Sequence, residues 1–118
     1  MREMIKGKKL TVFVGEDKEL EGKPLYLEII EILKQCNIIG ATVTRGLSGF
    51  SQGGKLHTAD SEYLMADLPI TIEAIDEEEK INTAVEKLSS LPDLSLMEIT
   101  TITLVAKRPE NKESLKES

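Results

Sequence analysis

Tryptophan is absent from the 118 residues, aromatics reach only 3%, and there is a single cysteine and a single histidine. Each shortage excludes something. So few aromatic rings leave no stacking platform for a single-stranded nucleic acid. Positive charge is also short: the net charge is -6 and the pI about 4.9, whereas phosphate-backbone binders carry a basic surplus or stripe. No nucleic-acid partner is expected. Cys36 alone cannot close an internal disulfide, and its place in an apolar stripe reads as a small buried hydrophobe. Neither a redox role nor a metal site is expected. Long hydrophobic runs are missing as well, since nothing approaches the roughly 20 apolar residues that span a bilayer. The N-terminal "MREMIKGKKLTVFVG" is basic but lacks an apolar h-region and a small-residue cleavage site. A protein not embedded in a membrane, and cytoplasmic, is the expectation.

What is present is ordinary for a globular domain: 40% hydrophobic and 31% charged residues in a chain long enough to bury one core. "KKLTVFVG" (Lys8 to Gly15) alternates Leu10, Val12 and Val14 against Thr11 and Phe13, a strand pattern. The turn-prone "EDKELEGK" follows, and Pro24 then opens a helix on which Leu25, Ile29, Ile32, Leu33 and Cys36 recur at helical spacing. "ATVTRGLSGF" (Ala41 to Phe50) reads as a second strand and "LPITIEAID" (Leu68 to Asp76) as a third. "DEEEKINTAVEKLSSL" begins with acids suited to the positive end of a helix and sets Ile81, Ala84, Val85, Leu88 and Leu91 on one stripe. "SLMEITTITLVA" (Ser95 to Ala106) is a fourth strand.

The order strand, helix, strand, strand, helix, strand spells an α+β, ferredoxin-like βαββαβ domain: a four-stranded antiparallel sheet with two helices on one face. The domain is expected over residues 1–108, with 109–118 a polar, disordered tail. The second face of the sheet would carry Thr11 and Phe13, Thr42 and Thr44, Thr71 and Ile75, and part of the Thr100, Thr101, Thr103 cluster with either Ile99 or Ile102. That is little charge for a solvated face, and it points to partial cover by another copy of the chain. The alternative is a monomer with an exposed, threonine-rich sheet.

"GLSGFSQGGKLHTADSEY" (Gly46 to Tyr63) holds half of the eight glycines and the only histidine. A tight hairpin needs about two residues between strands, and connections this long inside a domain are usually functional or disordered. Gly49, Gly53 and Gly54 permit close approach to a ligand and can form an anion-binding nest. Arg45, Lys55 and His57 add positive or switchable charge to an acidic chain. The glycines match neither a Walker A motif nor a dinucleotide-binding turn. Arg45 is equally placed for a surface or interface ion pair as for a ligand. His57 also fits a structural hydrogen-bonding role, and "HTADSEY" an ordinary turn in which Thr58, Asp60 and Ser61 cap backbone amides. The ligand reading rests on the clustering.

The segment from Lys23 to Asp76 resembles the PII-like proteins of domain of unknown function family 190, most specifically in "GATVTRGLSGF", "LHTA" and "LPITIE". The resemblance extends from Leu10 to about Ile102. It implies a trimer with the sheets packed inward, and kinship with PII signal-transduction proteins, whose loop between the second and third strands contacts partners and whose inter-subunit clefts bind adenine nucleotides. "GFSQGGK" (Gly49 to Lys55) resembles the start of the PII loop: Gly49 and Phe50 match directly, and Gln52 falls one place early. One departure is plain. Where PII proteins carry a glycine-rich basic phosphate loop, "SSLPDLSL" (Ser89 to Leu96) has no Gly, Lys or Arg.

The expected function is a homotrimeric regulatory protein that binds a small anionic ligand, an adenine nucleotide as effector, through Arg45, Gly49, Phe50, Gln52, Lys55, His57 and Thr58. No resident cofactor is expected. A ligand-free interaction module regulating a membrane transporter or an enzyme is the alternative. An enzyme with His57 as general base ranks below both, because no motif supplies a nucleophile or an orienting carboxylate. The expectation is a non-enzyme.

Overall fold

Leu10, Val12 and Val14 leave one strand on the same side, and burying that row organises the rest of the chain. The computed structural model describes residues 2–49, 57–58, 68–94 and 96–107. The first strand, β1 (Arg2–Gly15), is followed by a small ribbon of β2 (Glu19–Leu20) and β3 (Lys23–Pro24), and then by helix α1 (Leu25–Gln35). The segment expected to be only a turn therefore carries a two-stranded pairing of its own. Pro24 caps the helix rather than entering it. Asn37, at φ 57, turns the chain after α1 into β4 (Gly40–Arg45). A second ribbon pairs β5 (Ser48–Gly49) with β6 (His57–Thr58), ahead of β7 (Pro69–Glu77), α2 (Glu78–Leu88) and β8 (Leu96–Lys107).

The main sheet runs β4-β7-β1-β8 with every pair antiparallel, the ferredoxin-like order. Leu25, Ile29 and Leu33 of α1 and Ile81, Ala84 and Leu88 of α2 bury one core with Leu10, Val12, Val14, Ile70, Ile72 and Ala74. Both helices thus lie on one face. Cys36 is half-buried at the end of α1 against this core, as a small hydrophobe.

Cross-strand partners share a face, so the register settles the opposite one. It carries Thr11, Phe13, Thr42, Thr44, Thr71, Ile75 and Thr100, and Ile102 rather than Ile99. It also carries more charge than the threonine pattern implied: Lys9 pairs with Glu73 at 3.4 Å, and Glu98 lies beside Thr11. The second strand is shorter than expected, ending at Arg45 instead of Phe50, and the first is longer, starting at Arg2 instead of Lys8. The polar segment 109–118 lies outside the described residues.

Candidate functional site

Three chain segments meet where the β4–β7 connection leaves the sheet. Gly46 donates its N–H to the Pro69 carbonyl at 2.7 Å, and Glu16, just past β1, donates its N–H to the Leu68 carbonyl at 3.0 Å. The Glu16 carboxylate then takes Arg45 from β4 in a two-point pair, Nε to Oε2 at 2.5 Å and Nη2 to Oε1 at 2.8 Å. This fork-to-fork geometry is the strong form of an Arg–carboxylate contact. The hydrogen bond to Glu16 raises the Arg45 pKa further above its ordinary value, so the guanidinium is a fixed positive charge. The ion pair with Glu16 is one of the two roles that the sequence offers for Arg45. The connection therefore leaves from a root that is pinned by backbone and side chain together.

Beyond the root the chain pairs with itself. Ser48 stands opposite Thr58 and Gly49 opposite His57, so three of the candidate residues, Gly49, His57 and Thr58, come together on one ribbon. Phe50, Gln52 and Lys55 lie outside the described residues. Glu16 was not among the candidates, because "EDKELEGK" gives no sign of which acid faces Arg45. Only the sheet register, with Gly15 opposite Pro69 and Arg45 opposite Ile70, brings the two together.

A second cluster lies at the other end of β1. Glu78, in the first turn of α2, faces Lys8 at 3.4 Å and Lys6 at 3.6 Å, and Lys8 also donates to Asn82 Oδ1 at 3.0 Å. The hydrogen bond from Lys8, then the charge of Lys6, lowers the Glu78 pKa below its ordinary value. An open cavity of about 500 Å3 sits here, lined by Ile5, Lys6, Glu77, Glu78, Glu79 and Asn82. It is far from the loop root, and nothing in its lining repeats the candidate residues.

Near this end, Asp76 is the one buried acid among the described residues, at 5% exposure. Its Oδ2 accepts from the Ile39 N–H at 2.8 Å and its Oδ1 from the Glu77 N–H at 2.6 Å, while Lys80 stands 3.6 Å away. That carboxylate fastens the α1–β4 connection to the corner between β7 and α2. Among the described residues, no group of three or more His, Cys, Asp or Glu side chains is arranged to hold a metal ion, and no helix is long and apolar enough to cross a membrane.

The profile of DUF190, described as "Uncharacterized ACR", matches residues 7–104. The chain belongs to the DUF190 family. Similar curated members are a UPF0166 protein of Aquifex aeolicus, 36% identical over 85 residues that cover 72% of this chain and 81% of that one, and a UPF0166 protein of Methanocaldococcus jannaschii, 40% identical over 85 residues that cover 72% and 78%. Among solved structures, CPII of Thiomonas intermedia K12 has a TM-score of 0.63 at 18% identity, covering 91% of this chain and 93% of that one. It is described as a nitrogen regulatory PII-like protein bound to ADP, AMP and bicarbonate. At that identity the likeness is one of fold, and the DUF190 chain has the PII-like form of the ferredoxin-like fold.

Proposed function

We propose that this DUF190 protein is a homotrimeric, cytoplasmic regulator that binds a small anionic ligand, an adenine nucleotide, in clefts between subunits and signals through the β4–β7 connection. The observation that carries the reading is the ribbon that sets Gly49 opposite His57, shortly after the chain leaves a root pinned by Arg45 and Glu16. A glycine there admits a close ligand approach, and an imidazole can both donate and accept hydrogen bonds. The nucleotides in CPII, a protein of the same fold, favour the same ligand class. Arg45, Gly49, Phe50, Gln52, Lys55, His57 and Thr58 are the proposed contacts. Binding shifts an equilibrium between forms of the connection, by no more than the ligand's differential affinity for them.

The test is thermal denaturation of the protein with AMP, ADP, ATP, cyclic mononucleotides and cyclic dinucleotides, repeated on a Gly49→Val, His57→Ala double variant. A ligand at about 100 times its dissociation constant stabilises the fold by about 2.7 kcal/mol, a readily measured shift for a domain of this size. A shift that disappears in the variant supports the site, and no shift with any nucleotide sinks it. The segment 89–94, "SSLPDL", has no glycine and no basic residue to hold phosphates, and this favours a second reading, a ligand-free interaction module acting on a transporter or an enzyme. Capture of the same protein partners with and without nucleotide is the outcome that distinguishes it.

A further inference from the structure

Glu16 and Arg45 are joined through both oxygens of the carboxylate and through the Nε and Nη2 groups of the guanidinium. That edge of an arginine is also the one that takes a phosphate in two parallel hydrogen bonds. A second anion cannot share it, because it would lie against the carboxylate and like charges at contact separation repel. Glu16 thus occupies the position that an anionic ligand of Arg45 would take.

The two partners are anchored unequally. Glu16 is held through its main chain, by the N–H that it donates to Leu68 at 3.0 Å, and its side chain is only 21% exposed. Arg45 is the last residue of β4, and its side chain is 47% exposed. An exchange of partners therefore moves the long arginine side chain and leaves the Glu16 backbone and the Gly46 to Pro69 hydrogen bond in place. Solvent screens a partly exposed pair, so its attraction is modest. A ligand with more charge than one carboxylate has the advantage.

We infer that Glu16 is a built-in competitor for Arg45, an internal carboxylate that a ligand must displace and that admits phosphate dianions in preference to carboxylates. The inference rests on the ligand reading proposed above and adds the regulation of that site. Replacing one carboxylate by another exchanges like for like, with two acceptor oxygens and one negative charge on either side. A terminal phosphate brings about 1.5 to 2 negative charges at neutral pH and a third acceptor oxygen, so it gains on the exchange. Displacement also removes the side-chain half of the pin at the loop root while the backbone half stays. Ligand binding is thereby tied to the freedom of the β4–β7 connection.

Isothermal titration calorimetry of the full chain with ADP and with inorganic phosphate tests this on wild type, Glu16→Gln, Arg45→Gln and the double variant, and circular dichroism checks that each is folded. Glu16→Gln should lower the dissociation constant by about tenfold, because Arg45 is no longer withdrawn from the ligand. A Glu16 that served only the structure would weaken binding when changed. In the Arg45→Gln background the Glu16 change should give no tightening; the same gain there would come from charge alone and overturn the competition. A readout on wild type needs no variant: the Arg45 Nε–H resonance in nuclear magnetic resonance should move with phosphate and stay in place with acetate at the same concentration. An equal response to acetate overturns the preference for dianions. ADP binding that Glu16→Gln leaves unchanged or weakens overturns the competitor and leaves the nucleotide reading standing. Phosphate binding that tightens in Glu16→Gln, with no binding of ADP, supports the competitor and overturns the nucleotide reading. No binding of either by wild type or Glu16→Gln overturns both.

Discussion

A carbon atom added to Gly46 would lie 2.8 Å from Pro69 Cγ, closer than packed side chains allow. The β4–β7 crossing therefore depends on a missing side chain as much as on the Gly46 to Pro69 hydrogen bond. Gly46→Ala should cost about 1–3 kcal/mol, as overpacking does, and the fall in urea midpoint measures it. Gly7 is constrained in the same way, with the Asp76 carbonyl oxygen 2.7 Å from the place its Cβ would take. Asp76 shows how a decisive residue stays inconspicuous in a sequence. It opens a run of four acids, "DEEE", that reads as a charged helix start. Yet the alternation Ile70, Ile72, Ala74 continues onto it, and that periodicity is the signal that marks it as core-facing. Asp76→Ala leaves the Ile39 and Glu77 amides without their acceptor, and a loss of about 3 kcal/mol is expected in the same unfolding experiment. Asp76→Asn should lose less, because it keeps one oxygen acceptor.

Among the elements, the strands with strict alternation were readable, Leu10 to Val14 and Ile70 to Ala74, because one buried face imposes a period of two. The helices were readable for the matching reason at a period of 3.6. Two boundaries were not. "ATVTRGLSGF" is continuously strand-prone, and what breaks it at Gly46 is Pro69 passing close by, a contact remote in sequence. "MREMIKG" shows no alternation, and its strand exists because β8 lies alongside it. The same limit explains the candidate site. Gly49, His57 and Arg45 stand out in the sequence as candidates, whereas the partner of Arg45 comes from a turn at the end of another strand. Helix α2 supplies a pH dependence whose sign follows from Glu78. Its lowered pKa means that the fold favours the ionised form, so its contribution is complete above the ordinary glutamate range, about 4.3, and is lost as the pH falls through the lowered value. Glu78→Gln should melt below wild type at pH 7, with the gap closing in acid. The gap is small, since the pair with Lys6 and Lys8 is solvent-screened.

For the whole molecule, an assembly that binds only folded subunits makes stability depend on protein concentration. The melting temperature of wild type is expected to rise with concentration, which differential scanning calorimetry over a hundredfold concentration range would measure. A concentration-independent melting temperature in wild type would count against assembly. The scale of the molecule is also set by one element. β1 reaches from its N-terminal end, at Met4, to the edge of the loop root, at Gly15, and is paired on at least one side along its full length. A strand rises about 3.3 Å per residue and barely stretches, so these two ends are held about 36 Å apart. β1 is in that sense a ruler: the spacing between its N-terminal end and the root of the β4–β7 connection is written as a residue count. Inserting one residue would turn every later side chain to the wrong face. Inserting two would restore the faces but displace one end from the other by about 6.6 Å, so length along this strand is as constrained as identity.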